Sequence, residues 1–160
     1  MKKIYLGLGS NMGNRGEKLQ SALMDLERWG VKILRSSSIY ETSPVGKKDQ
    51  PDFYNMVVQV KTDRSPEDLL TVIRAVERSL GRVRTEKWGR RTMDIDLLFY
   101  GDTVLDDPDL TVPHRHIPER KFVLVPLREI ASEFVHPVLK KTVEQLLNEC
   151  KDEGTVTVLS

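Results

Sequence analysis

The stretch Arg82-Val83-Arg84-Thr85-Glu86-Lys87-Trp88-Gly89-Arg90-Arg91-Thr92-Met93-Asp94-Ile95-Asp96-Leu97-Leu98 joins a cationic loop carrying one aromatic residue to an apolar strand with two acids. A strand from Met93 to Tyr100 has a period of two, so Asp94 and Asp96 share one face while Met93, Ile95, Leu97 and Phe99 point to the other. Their Cα atoms then lie roughly 7 Å apart. Paired acids at the start of an apolar strand are costly to bury unless a cation or hydrogen-bond donors compensate them. Magnesium, which keeps waters and phosphate oxygens in its shell, suits such a pair, and the arginines just upstream suit the phosphates. The alternative is a solvated network in which Arg90 and Arg91 pair with the acids.

Working outward, Asp52 to Val60 is a second β-rich run, and alternation sets Phe53 and Asn55 on the same face. An aromatic plane beside an amide can stack on a flat heterocycle and bond its edge. Each alone also has an ordinary structural reading, in the core or bridging the sheet. Before it, Lys3 to Ser10 forms a strand running into Gly7-Leu8-Gly9-Ser10-Asn11-Met12-Gly13-Asn14. That glycine-rich stretch lacks the Lys-Ser/Thr of a Walker A loop and the G-x-G-x-x-G spacing, so it reads as a structural turn. Leu19, Ala22, Leu23 and Leu26 recur at helical spacing between Gly16 and Trp29, with Gly30 as the stop. Val31 to Thr42 is expected to be a strand near the sheet edge, followed by a polar loop through Pro51.

Ser65-Pro66-Glu67-Asp68 is a helix start, with Leu69, Val72, Ile73, Val76 and Leu80 as the buried stripe. Arg74 and Glu77 fall toward the other side, on what reads as a solvated face. The order strand, helix, strand, strand, helix, strand is the split βαβ arrangement of a ferredoxin-like α+β fold with an antiparallel sheet. Beyond Gly101 come a proline-rich crossing segment at 110–118, short helices around Arg120 to Pro126 and Val143 to Glu149, and a short apolar strand from Thr155 to Leu159.

The 160 residues suit a single domain, residues 1–160, with a full core. No apolar run is long enough to cross a membrane, and the N-terminus lacks a signal-peptide pattern. A soluble, cytoplasmic protein is the expectation. Cys150 is the only cysteine, which excludes an intrachain disulfide and gives no support to cysteine-ligated zinc. A net charge of +1 argues against a general polyanion-binding surface, although charge is concentrated between Arg82 and Arg91. His114, His116 and His136 do not form a convincing metal motif. A phosphate or ribose contact by His114, or a purely structural role, fits better.

The joint order of G-L-G-S-N-M-G-N (7–14), S-S-I-Y-E-T-S-P-V-G (37–46), Q-P-D-F-Y-N-M-V (50–57), G-R-V-R (81–84), W-G-R-R-T-M-D-I-D-L-L (88–98), L-T-V-P-H (110–114) and E-R-K-F-V-L-V-P-L (119–127) resembles the hydroxymethyldihydropterin pyrophosphokinase family. The resemblance implies transfer of pyrophosphate from ATP to 6-hydroxymethyl-7,8-dihydropterin in folate biosynthesis, on a three-layer αβα ferredoxin-like fold. It implies two Mg²⁺ ions held by Asp94 and Asp96. Phe53 and Phe122 would sandwich the pterin, with Asn55 on its edge and Thr42, Ser43, Val45 and Trp88 completing that pocket. Arg82, Arg84, Trp88 and Arg91 would close over the phosphates, Arg82 and Arg91 with catalytic roles. Arg74, Glu77, Leu97, Thr111, His114 and Arg120 would lie on the nucleotide side. The implied partners are these two small molecules, with no nucleic acid, membrane or obligatory oligomer.

The sequence departs from the family pattern at Arg90, where W-G-P-R-T is usual, and at Arg74, Asp109 and Arg115, so the nucleotide contacts transfer less directly than the metal and pterin ones. Two readings compete. A ferredoxin-like RNA-binding module needs exposed aromatics on its central strands, where this chain places Asp94 and Asp96. A metal-dependent phosphohydrolase would use the same acids to activate water.

Overall fold

The computed structural model describes residues 2–10, 14–43, 52–80 and 93–159. Strand β1 (Ile4–Ser10) is central, flanked by β5 (Asp94–Tyr100) and β4 (Phe53–Lys61), both antiparallel to it. Helices α1 (Arg15–Arg28) and α2 (Pro66–Ser79) cover one face, and α3 (Lys121–Ala131) and α4 (Val143–Glu149) pack on the other. This is the expected ferredoxin-like sheet within an αβα sandwich.

Local chemistry sets the helix ends. The Asn14 side chain accepts from Glu17 N at 3.1 Å to cap α1, and Gly30 follows its end with φ +84°, a conformation that L side chains resist. Ser65 accepts from Asp68 N at 3.1 Å to cap α2, with Pro66 in its first turn. Leu19, Ala22 and Leu26 of α1 meet Leu69, Val72, Ile73 and Val76 of α2 over Ile4, Leu6 and Leu8 of β1. Burying stripes of this kind stabilises a helix more than its intrinsic propensity does.

Three expectations need correction. The strand expected from Val31 to Thr42 is two strands, β2 (Lys32–Ser36) and β3 (Tyr40–Thr42), which pair with successive halves of β4. Ser37 makes the break: its N–H donates to Val57 O and its hydroxyl accepts from Val57 N, each at 2.9 Å. Both lie near an edge, as expected: among the described strands β2 pairs with β4 alone, and β3 is next to β8 (Val156–Val158), the last strand of the sheet. Helix α3 continues through Pro126 to Ala131, its stripe of Val123, Leu124, Leu127 and Ile130 outweighing the proline. The third correction concerns β5. Register slips between Tyr5 and Leu6, so that Phe99 opposes Tyr5, Leu97 opposes Leu6 and Leu98 has no opposite number. Phe99 consequently joins Leu98 in the α3/α4 core, whereas Leu97 remains in the α1/α2 core.

The segment between β5 and α3 lies beside β5 and buries Leu110, Val112 and Ile117. Strands β6 (Leu105–Asp106) and β7 (Thr111–Val112) form a two-residue ladder, followed by a 3-10 turn at Ile117–Glu119. Among the described residues no helix is long and apolar enough to cross a membrane.

Candidate active site

The site begins with what β1 lacks. On the face toward α3, β1 presents Tyr5, then Gly7 and Gly9, which lie opposite Asp96 and Asp94 on β5 and opposite Val57 and Asn55 on β4. Without side chains at these two positions the sheet is open, and a cavity of about 1040 Å³ stands over it. Gly7 and Gly9 lie within β1, inside the strand expected from Lys3 to Ser10 and before any turn, and line this cavity. A Cβ on Gly9 would fall 2.6 Å from Asn55 Nδ2 and 3.8 Å from Phe53, so the glycine is what lets the amide lie across the strand.

One end of the cavity carries two aromatic side chains and an amide. Phe53, Asn55 and Phe122 line it with Thr42 and Ser43. Asn55 is buried, and its orientation is set by Thr42 Oγ1, which donates to Oδ1 at 2.5 Å. The amide Nδ2 also lies 3.5 Å from Leu8 O. Phe122 is carried by the first turn of α3, with the Arg120 guanidinium 5.7 Å from its ring centre.

The other end is ionic. Asp94 and Asp96 both line the cavity, on the face opposite Ile95 and Leu97. His114 approaches from the segment after β7, where its N–H donates at 3.0 Å to Leu98 O, the carbonyl at the register slip. Its Nδ1 accepts from His116 N at 3.3 Å, so the neutral ring carries its proton on Nε2, 3.9 Å from Asp96 Oδ1. Burial pushes the His114 pKa below the usual histidine value, outweighing the opposite pull of Asp96. The described lining holds the carboxylates Asp94, Asp96, Glu119, Glu149 and Asp152 against the permanent cations Arg120 and Lys151. An anionic substrate therefore needs further positive charge there.

The structure thus brings Thr42, Ser43, Phe53, Asn55, Asp94, Asp96, His114, Arg120 and Phe122 to one cavity. Val45, Arg82, Arg84, Trp88 and Arg91 lie outside the described residues. Four other sequence candidates are not part of the lining. Arg74 is exposed on α2, Thr111 lies on β7, and the Leu97 side chain belongs to the α1/α2 core. Glu77 corrects the expectation of a solvated face. It is buried, and its Oε2 accepts from Ile95 N at 2.9 Å, so it braces the strand between the two acids.

Sequence reasoning missed Gly7, Gly9, and the tail residues Glu149, Lys151 and Asp152 as lining groups. The glycines had a legible signal, since both fall on the parity that Tyr5 shares. The tail had none, because nothing local ties it to β3 or α3.

The architecture is a ferredoxin-like sandwich whose open sheet face carries a cavity lined by aromatic rings, an oriented amide and paired carboxylates. More particularly, residues 5–132 match the family described as 7,8-dihydro-6-hydroxymethylpterin-pyrophosphokinase (HPPK), and the chain belongs to that family. It is 41% identical over 138 residues to the 2-amino-4-hydroxy-6-hydroxymethyldihydropteridine pyrophosphokinase of Haemophilus influenzae, covering 86% of each chain. It is 39% identical to the Pseudomonas aeruginosa protein of the same name, covering 96% of this chain and 95% of that one. It is also 38% identical to the Folic acid synthesis protein fol1 of Pneumocystis carinii, spanning 98% of this chain but only 21% of that much longer protein. Among solved structures, an HPPK-DHPS protein of Plasmodium falciparum superposes with a TM-score of 0.77 at 21% identity, over 93% of this chain and 45% of that one. That likeness bears on the fold alone.

Proposed function

We propose that the protein is a magnesium-dependent pyrophosphokinase that transfers the pyrophosphoryl group of ATP to the hydroxymethyl oxygen of 6-hydroxymethyl-7,8-dihydropterin. The products are the pterin diphosphate and AMP, in a step of folate biosynthesis carried out by a single-domain cytoplasmic enzyme. The observation that carries this reading is the presence, in one cavity, of a slot with an oriented amide edge and of two carboxylates on adjacent same-face positions of β5.

A pterin is planar, with donors and acceptors along one edge. Phe53 and Phe122 supply apolar faces for the ring, and Asn55, pre-oriented by Thr42, supplies both a donor and an acceptor for its edge. Because the Thr42 and Asn55 geometry is already built, binding orders few groups and more of the interaction appears as affinity.

The carboxylates fit magnesium. Asp96 has a side chain 42% exposed to the cavity, and among the described residues no cluster of three or more His, Cys, Asp or Glu side chains forms a closed cage. Magnesium characteristically takes one or two carboxylates and fills its remaining positions with water and substrate phosphate. Asp94 and Asp96 would hold it, two ions in our reading, and the metal would neutralise the triphosphate and the charge that develops on the transferred group. Arg120 and the Nε2–H of His114 face the same space as phosphate donors, and the sequence adds Arg82, Arg84 and Arg91 just before β5. Transfer needs in-line placement of the alcohol oxygen against the β-phosphorus and no covalent nucleophile on the protein.

The test is AMP formation from ATP and magnesium, with and without the hydroxymethyl pterin, with products separated by chromatography. Pterin-dependent AMP accompanied by an equal amount of pterin diphosphate, abolished by chelation, is expected. Pterin-independent release of inorganic phosphate would overturn the reading in favour of a hydrolase.

A further inference from the structure

The segment 149–158 joins both walls of the ring slot. Strand β8 pairs antiparallel with β3, placing Val156 opposite Thr42, the residue that orients Asn55. The pairing is extended by Ser43, whose N–H donates to Thr155 O and whose Oγ accepts from Thr155 N, each at 3.2 Å. Just before β8, Asp152 reaches the opposite wall. Its Oδ2 accepts from Lys121 N at 3.0 Å and its Oδ1 from Gly154 N at 2.8 Å.

The N-cap of α3 explains why Asp152 matters. Arg120 occupies the N-cap position and makes no side-chain capping bond. Asp152 supplies a cap from 31 residues away, placing a carboxylate at the positive end of the helix that carries Phe122. Glu149, Lys151 and Asp152 line the main cavity, and a second cavity of about 140 Å³ lies between Thr42, Phe122, Asp152 and Val156. The family model matches residues 5–132, and the alignments with individual relatives run on into this tail.

We infer that the segment 149–158 is a positioning element for the ring substrate, in which Asp152 caps α3 to hold Phe122 while β8 fixes Thr42 and so Asn55. The inference rests on assigning the slot to the pterin. Asp152 acts through the backbone of Lys121, so it is a positioning residue and takes no part in transfer.

The test compares the KM for pterin and for ATP in the wild-type enzyme, Asp152→Ala, Asp152→Asn and Glu153→Ala, the last being an exposed neighbour. Asp152→Ala is expected to raise the pterin KM about tenfold while the ATP KM stays within about twofold, as a lost charged cap on one wall requires. Asp152→Asn retains one acceptor oxygen and should fall between Asp152→Ala and wild type, and Glu153→Ala should match wild type. An unchanged pterin KM in Asp152→Ala, or an equal rise in both KM values, overturns the inference. If Asp152→Ala does not fold, the isosteric Asp152→Asn decides by the same criterion. Titrating each variant with the pterin by its fluorescence measures slot affinity without turnover. A wild-type protein that binds pterin but makes no AMP would therefore count against the proposed reaction and leave the positioning role testable.

Discussion

The sheet face that meets α3 is built from the same three strands at both ends, yet one end is filled and the other open. At the filled end Tyr5, Val57, Leu98 and Phe99 interlock with Val123, Leu124 and Leu127. Phe134 completes an aromatic cluster there, its ring centre 5.1 Å from Tyr5 and 4.7 Å from Phe99. At the open end the corresponding positions are Gly7, Gly9, Asn55, Asp94 and Asp96. The β1–β4 ladder keeps its register across both ends and the β1–β5 ladder slips only at Leu98 between them, so pairing with β4 does not distinguish the two ends. Side-chain volume and charge do: two glycines remove the floor, and two carboxylates make dry packing unfavourable.

The largest effect that would break this contrast is expected at the open end. Asp96→Ala should lower kcat/KM by about a thousandfold or more, on the order of 4 kcal/mol, because it removes one of two proposed metal ligands. Its melting temperature should hardly change, since the side chain is partly exposed. Steady-state kinetics beside thermal melts read both quantities, and near-normal turnover would remove the metal assignment.

At the filled end the pattern should invert. Phe99→Ala, which empties a fully buried site, is expected to cost about 3–5 kcal/mol of stability in denaturant titrations. The pterin KM of the folded fraction should stay within about twofold if the two ends, which share Val57 and Val123, are independent, since Phe99 itself does not line the cavity.

The smallest effect sharpens the boundary. Gly9→Ala puts a methyl group where Asn55 lies, and the amide must rotate away from Thr42 to accommodate it. The pterin KM should rise about tenfold, equivalent to ~1.4 kcal/mol, with the ATP KM little changed. An unaltered pterin KM would mean that the orientation of Asn55 does not govern ring binding.

Much of the fold was legible because it rests on local periodicity. The stripes of α1 and α2, the cap of α2 at Ser65, and the parity that groups Asp94 with Asp96 all follow from short-range rules. Phe53 and Asn55 were recognisable by the same parity, and both line the cavity. Glu77 was misread because its neighbours in sequence resemble those of a surface helix. The group that buries it is a backbone N–H of β5, distant in the chain.

The sequence by itself determined which residues could share a face, where the helices begin, and that acids and cations meet around β5. Periodicity and capping act within a few residues, and the chain carries that information directly. Only the tertiary structure decided that Phe99 turns into the second core, that Glu77 braces β5, and that the tail closes against β3 and α3. Each of these depends on a backbone group left open by one element and satisfied by another far along the chain, and that pairing is fixed only when the layers assemble.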